Sequence, residues 1–340
     1  MSAVVLAYHR VTTLARDSQA LAVTPERFAE QLDALESIGV PVPLSELRSV
    51  EPGKTRFAFT FDDGYADNIE NARPLLADRG WPATLFITTG NVRSGREFWW
   101  DELETLLFSP GTLPARFDAQ IPRTNSRLSF EGGELTEEEE AASRSWSLLS
   151  VRDVAPREHA YRKTAGILRN AHPDVREQLL SELRAWAEHP NSAPRQSHRP
   201  MTVDEVSSLA TDDVIDVGAH TVSHPALAAL TPREQSEELA ASKRSLEELV
   251  DKPVTSFAYP YGNRSLLRNV MNKLTRGRRS APNSYTTTSR RLIQEAGFQE
   301  AWTTRPGTVS PQSDRFQLPR ILVRDWSGDE LLSRLTILAR

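Results

Sequence analysis

Two histidines, His220 and His224, stand four apart in Asp216-Val-Gly-Ala-His-Thr-Val-Ser-His-Pro225, and a carboxylate pair, Asp62-Asp63, stands far upstream in Phe59-Thr-Phe-Asp-Asp-Gly-Tyr65. Imidazoles one helical turn apart point the same way and can grip one metal ion. One carboxylate completes a three-ligand set with a position left open for water, which is the arrangement of a catalytic zinc site. The other is then free to act as a base. The same residues also have structural uses: histidines at this spacing occur as surface pairs, and an aspartate can cap a helix. Two adjacent aspartates followed by Gly64-Tyr65 exceed what a cap requires. The expectation is a metal-dependent hydrolase.

Parallel strands must position these residues. Val4 to Tyr8 is a continuous apolar run, typical of a strand covered on both faces. Phe57 to Phe61, Ala83 to Thr88, Val214 to Gly218, Ser256 to Tyr259 and Leu318 to Val323 read as further strands. Helical patterns alternate with them: Thr24-Pro25 to Ile38 with Gly39 as its stop, Asn68 to Arg79, Val203 to Leu209, Thr231-Pro232 to Val250, Thr288 to Ala296 and Gly328 to Leu338. This alternation predicts an α/β fold, a barrel or parallel sheet over residues 1–92 and 201–340. Asp62, Asp63, His220 and Tyr261 each follow directly on a strand, where such folds gather their chemistry. Between them, residues 93–200 are poor in strand-like runs. They read as a large, mostly helical insertion, with a mobile stretch around Thr124 to Ser145.

The 340 residues suit one large α/β domain with an insertion or two ordinary domains, and 39% hydrophobic with 26% charged residues is the composition of a globular protein. A net charge of −5 gives no reason to expect nucleic acid as a partner. With no cysteine, any metal must sit on His, Asp or Glu. The N-terminus lacks a basic region and a cleavage site, so with Met1 as the start a cytoplasmic location is expected.

The motifs Thr60-Phe-Asp-Asp-Gly-Tyr65, His220-Thr-Val-Ser-His224 and Phe257-Ala-Tyr-Pro-Tyr-Gly262 resemble, in order, the first three motifs of the polysaccharide deacetylase family (carbohydrate esterase family 4). The resemblance spans about residues 3–92 and 201–326 and leaves out the insertion. It implies a distorted (β/α) barrel that removes N- or O-acetyl groups with a divalent metal, usually zinc, with Co2+ or Ni2+ as other choices. It further implies that Asp62 is the catalytic base, that Asp63, His220 and His224 are the metal ligands, and that the Tyr261 backbone N–H binds the oxyanion. The chain departs from the family pattern twice. Ala258 stands where an arginine usually orients the base, and Arg320 is a candidate substitute. No histidine follows His224 to supply the usual catalytic acid, and His9 in Leu6-Ala-Tyr-His-Arg10 is the best candidate, as in a permuted subset of the family with the Phe-Ala-Tyr-Pro-Tyr-Gly signature. His159, His172, His189 and His198 lie in the insertion.

Two further features bear on partners. Phe98-Trp99-Trp100-Asp101 could stack on a sugar ring or anchor a helix, and Trp302 and Trp326 pose the same choice. The segment Arg264 to Arg279 carries six basic residues and no acid. Such a segment could meet a substrate phosphate or an anionic membrane surface, or stand as a solvated loop. The expected substrate is a carbohydrate: an N-acetylated amino sugar in a polysaccharide, glycolipid or nucleotide-sugar intermediate. The competing expectations are a hydrolase of another C–N bond (a deformylase or cyclic amidase) and a carbohydrate-binding relative without turnover.

Overall fold

Strand parity decides where the site residues go. Along β5 (Thr55–Phe61) of the computed structural model, which describes residues 3–47, 55–189, 194–262 and 283–338, side chains alternate between two faces. Phe57, Phe59 and Phe61 join Val4, Leu6 and Tyr8 in a large apolar cluster with Phe28, Leu32 and Leu35 of the Pro25–Glu36 helix. Ala58 faces the other way, into a smaller cluster with Val5, Phe86, Ala258, Trp302 and Leu318. Two separate cores on the two faces of one sheet mean that the sheet curls around the smaller one. Thr60 and Asp62 continue the inward parity of Ala58.

The strands are β1 (Val4–Tyr8), β2 (Arg10–Val11), β3 (Ala22–Val23), β4 (Gly39–Pro41), β5, β6 (Ala83–Ile87), β7 (Gly111–Gln120), β8 (Arg127–Leu135), β9 (Ile215–Ala219), β10 (Ser256–Ala258), β11 (Glu300–Trp302) and β12 (Ile321–Leu322). Seven of them follow one another across the main sheet in the order β11-β10-β9-β6-β5-β1-β12, with β4 beside the start of β5, and every pairing is parallel. Leu318 pairs with Trp302 of β11, while Ile321 and Leu322 pair with Leu6 and Ala7 of β1. One short segment therefore touches both ends of the path, and the expected distorted (β/α) barrel is the fold observed.

The chain divides into two compact units. One comprises Met1–Thr13, Ala22–Gly95 and Pro200–Arg340, and the other Leu14–Leu21 with Arg96–Arg199. The second unit contains the helices Trp99–Phe108, Glu137–Ala142, Pro156–Leu168 and Pro173–Trp186. It also holds an antiparallel hairpin, β7–β8, that the sequence reading passed over. Phe117 and Phe130 pair across it, but a register shift between Leu113 and Arg116 breaks the alternation. The stretch read as mobile, Thr124 to Ser145, is here strand β8 followed by a helix closed by a Thr136–Glu139 capping box. Phe98, Trp99 and Trp100 are buried, the first stacked on the third, so this trio packs the interior. Trp302 is fully buried in the inner barrel cluster.

Other boundaries also move. Gly39 does not merely end the first helix but opens β4. Asn68 to Arg79 is a π-helical turn, Asn68–Ala72, followed by a short α-helix, Arg73–Ala77. Of Leu318 to Val323, only Ile321–Leu322 is regular strand. The basic segment Arg264 to Arg279 lies outside the described residues. No helix among the described residues is long and apolar enough to cross a membrane.

Gly218 on β9 marks how tightly the barrel interior is filled. A Cβ there would lie 2.4 Å from the Phe86 ring and 2.9 Å from Ser256 Oγ. Phe86 is fully buried and cannot swing aside. Gly218→Ala is therefore expected to lower stability by about 1–3 kcal/mol, the usual range for overpacking. Urea unfolding of the purified variant measures this, and an unchanged midpoint would show that the interior has slack.

Candidate metal centre and catalytic site

The site is built at the carboxyl ends of β1, β5, β9 and β10. β1 ends at Tyr8 and hands on to His9; β5 ends at Phe61 and hands on to Asp62 and Asp63; β9 ends at Ala219, before His220. The backbone leaves the sheet in unusual conformations here. Asp63, Thr221, His224 and Tyr261 all have positive φ, at 74°, 69°, 50° and 60°. That is half of the non-glycine residues with positive φ among those described. For a β-branched residue such as Thr221 this is a genuine outlier, and it persists only where the surroundings over-determine it. They do: the Thr221 hydroxyl donates to the His220 carbonyl, and its oxygen accepts from the His224 N–H at 3.1 Å.

His220 and His224 do not sit on a helix, as their spacing suggested, but on this irregular loop. Their Nε2 atoms nevertheless converge on Asp63 Oδ1, at 3.6 Å for His220 and 3.2 Å for His224. Tetrahedral zinc with bonds of roughly 2.0–2.1 Å holds its ligands about 3.3 Å apart, so the separations suit such an ion. All three ligand atoms lie within 4.8 Å of one another. Neither Asp63 carboxylate oxygen has a hydrogen-bond partner among the described residues, although the side chain is 1% exposed. A buried carboxylate in that position lacks compensation, and a cation between the three groups would supply it. Burial pushes the Asp63 carboxyl above its ordinary range, against the pull of His9 and His220. Burial likewise brings His220 down to about 4, so the imidazole is neutral, as a ligand must be. His220 Nδ1 lies 2.8 Å from the Ala258 carbonyl, which assigns the proton to Nδ1 and leaves Nε2 free to ligate. The residues therefore fit a divalent metal of the zinc type.

Asp62 is compensated differently. Arg320 Nη1 donates to Oδ1 at 2.6 Å and Nη2 to Oδ2 at 2.7 Å, a two-pronged clamp with both partners buried. The guanidinium is held in turn by Thr60 Oγ1 and the Thr303 carbonyl, and lies over the Phe86 ring. Burial is the largest single influence on Asp62 and would raise its pKa. The Arg320 charge, His220 and the Arg320 hydrogen bonds outweigh it and hold the carboxyl at about 2. Arg320 reaches this position inside the barrel from a segment 258 residues away, across the sheet from Ala258.

His9 is 14% exposed, with Nε2 4.0 Å from Asp62 Oδ2. Its Nδ1 is buried without a hydrogen-bond partner among the described residues. Burial draws its pKa down and both aspartates oppose the change. The Tyr261 ring meets His224 edge-on at 4.6 Å and is partly exposed. The structure thus brings together all seven residues singled out in the sequence, while His159, His172, His189 and His198 fall in the second unit. Two supporting groups went unnoticed. Asp67 receives Arg10 Nε and the Val11 N–H, with the Arg10 guanidinium over the Tyr65 ring. Glu238 holds the loop between the two histidines. The only signal for either was a charged residue near a motif, which solvated surfaces also produce.

Removing one partner of a buried ion pair strands the other. Arg320→Met is expected to destabilise the fold by about 3–5 kcal/mol, and adding Asp62→Asn should recover part of that loss. A double-mutant cycle by chemical denaturation checks it; additive losses would mean that the two groups do not compensate each other.

Comparison with known proteins agrees with this architecture. The family model described as polysaccharide deacetylase matches residues 49–110 and 185–300, just over half of the chain. YxkH of Bacillus subtilis (strain 168), which carries a provisional polysaccharide deacetylase name, is 24% identical over 123 residues, 36% of each chain. The match thus spans about a third of the length of that curated relative. Among solved structures, the chain is similar to the Streptococcus pyogenes deacetylase PplD in complex with acetate (TM-score 0.56, 16% identity, 98% of this chain and 97% of that one). It is also similar to IcaB from Ammonifex degensii (TM-score 0.54, 18% identity, 98% and 96%). At these identities the structural likeness speaks for the fold, and the matched family model carries the assignment: the chain belongs to the polysaccharide deacetylase family.

Proposed function

We propose that the protein is a metal-dependent N-deacetylase acting on an N-acetylated amino sugar of a polysaccharide, glycolipid or nucleotide-linked intermediate. The observation that carries this reading is Asp63, buried with neither oxygen hydrogen-bonded among the described residues and facing two histidine Nε2 atoms, beside a second aspartate clamped by Arg320. A binding protein without turnover has no use for that second, separately compensated carboxylate.

Asp63, His220 and His224 would hold the ion. A divalent metal in such a site supplies Lewis acidity to the acyl carbonyl and to water. Asp62 accepts the proton of the attacking water; the Arg320 clamp keeps it ionised and fixed in direction, at some cost in basicity. The Tyr261 N–H donates to the oxygen that gains charge, a contact worth about 3–4 kcal/mol in comparable sites. His9, whose Nε2 is 4.0 Å from Asp62, takes over the proton that Asp62 accepted from water and delivers it to the leaving amine, so the water proton ends on the departing nitrogen. His9 in this role corresponds to the permuted subset of the family, and Arg320 takes over from the arginine missing at Ala258. The name of PplD and the acetate in its structure favour acetyl as the acyl group. A formyl or cyclic amide substrate remains the second reading, since the same groups would serve it.

The test combines metal analysis with product release. Asp63→Ala should lose most of the bound divalent ion. Asp62→Asn and His9→Ala should keep the metal while turnover falls by about 10²–10⁴-fold and at least about 10²-fold respectively. Acetate release from N-acetylhexosamine oligomers is the expected product. Formate from formylated substrates would favour the second reading, and full activity in Asp62→Asn would remove that residue from the base role.

A further inference from the structure

The loop that carries both histidines has no regular secondary structure, yet three of its residues are pinned from two sides. On one side, the N–H groups of Thr89 and Gly90, just beyond β6, donate to the carbonyls of Thr221 and Val222 at 3.2 and 2.9 Å. Gly90 is required for that approach, because a Cβ there would lie 2.5 Å from the Val222 oxygen. On the other side stands Glu238, on the Pro232–Val250 helix. Its Oε2 accepts from the N–H of Val222 at 2.8 Å and of Ser223 at 3.0 Å, and its Oε1 accepts from Ser223 Oγ at 2.6 Å. One carboxylate thus takes three hydrogen bonds from the two residues between Thr221 and His224.

These bonds oppose a specific relaxation. Thr221 and His224 both hold positive φ, a conformation that costs on the order of 1–2 kcal/mol for a residue with a Cβ. If the loop relaxed toward ordinary backbone angles, Val222 and Ser223 would rotate their N–H groups away, and the His224 ring would turn off Asp63. Glu238 makes this expensive because it accepts charge-assisted bonds from both consecutive N–H groups at once. The helix gives it a firm base: Thr231 and Glu234 close a capping box one turn earlier, and Leu239 beside it is fully buried.

We infer that Glu238 is a positioning residue for the metal centre, acting through the Val222–Ser223 backbone to hold His224 and His220 in ligating geometry without touching the ion. The inference rests on the reading of Asp63, His220 and His224 as ligands. It also goes beyond helix stability, since the Glu238 carboxylate is bonded to the loop.

The test is metal affinity, read by competition with a chromophoric chelator for Zn2+ and by the visible absorption spectrum of the Co2+ form. Wild type, Glu238→Gln, Glu238→Ala, Ser223→Ala and Glu237→Ala are compared, each with its thermal midpoint. Glu237 pairs with Arg233 on the same helix, so it controls for a general weakening of the helix. Glu238→Ala should bind Zn2+ about 10–100-fold more weakly, the usual range for groups that orient ligands, with an altered Co2+ spectrum. Glu238→Gln keeps one good acceptor and should fall between it and wild type. Ser223→Ala should lose a smaller factor, and Glu237→Ala none. If Glu238→Ala does not fold, Glu238→Gln and Ser223→Ala decide. Wild-type affinity and spectrum in the Glu238 variants, or losses matched by Glu237→Ala, would overturn the inference. A wild-type protein that binds neither ion would instead overturn the metal centre itself.

Discussion

Two carboxylates that are neighbours in sequence and both withdrawn from water repel each other, and each needs its own positive charge. At the end of β5 the chain meets this demand twice, in different ways. Asp62 is answered by a fixed cation, the Arg320 guanidinium, reaching through the barrel interior. Asp63 faces two imidazoles, of which burial keeps that of His220 neutral, so an ion held among the three would supply its compensation. Much of the inner barrel follows from this division. Thr60, the Thr303 carbonyl and the Phe86 ring seat the guanidinium, and the small residues Ala58 and Ala258 share the inner cluster with Phe86 and Trp302.

Turning the two aspartates to different partners requires an abrupt change of backbone direction, and Asp63 makes it with φ of 74°. The same device recurs at Thr221, His224 and Tyr261. Strain of this kind survives only when several hydrogen bonds forbid the relaxed alternative. The bonds come from separate elements: the chain after β6 supplies two N–H groups, the long helix supplies Glu238, and Thr221 bonds within the loop. A site assembled on such backbone is held in place by the protein itself, which would reduce the ordering cost of binding an ion there.

The second unit bears on this only through its own internal consistency. Its buried Arg157 donates to four backbone carbonyls, those of Leu107, Ser109, Gly111 and Gly133, tying a helix end to both strands of the hairpin. Trp146, Tyr161 and Phe108 form an aromatic core of its own. The hairpin escaped the sequence reading because Pro114, Gly132 and Gly133 and the register shift dilute its alternation; its identity as strand comes from pairing, a nonlocal interaction.

What the sequence determined by itself was local and chemical. Apolar runs and Thr-Pro caps marked β1, β5, β6 and the helices after Thr24 and Thr231, because strand and helix periodicity are properties of neighbouring residues. The types of Asp62, Asp63, His220 and His224 already pointed to a site that could bind a cation and handle protons, with no thiol available. Tertiary structure alone decided that the two histidines face Asp63 from an irregular loop and not from a helix, and that Arg320 clamps Asp62. It alone revealed Glu238 as different from the other glutamates of its helix. The reason is the same in each case: which charge meets which depends on strand order and backbone direction around the barrel, and those are set by pairings between segments far apart in the chain.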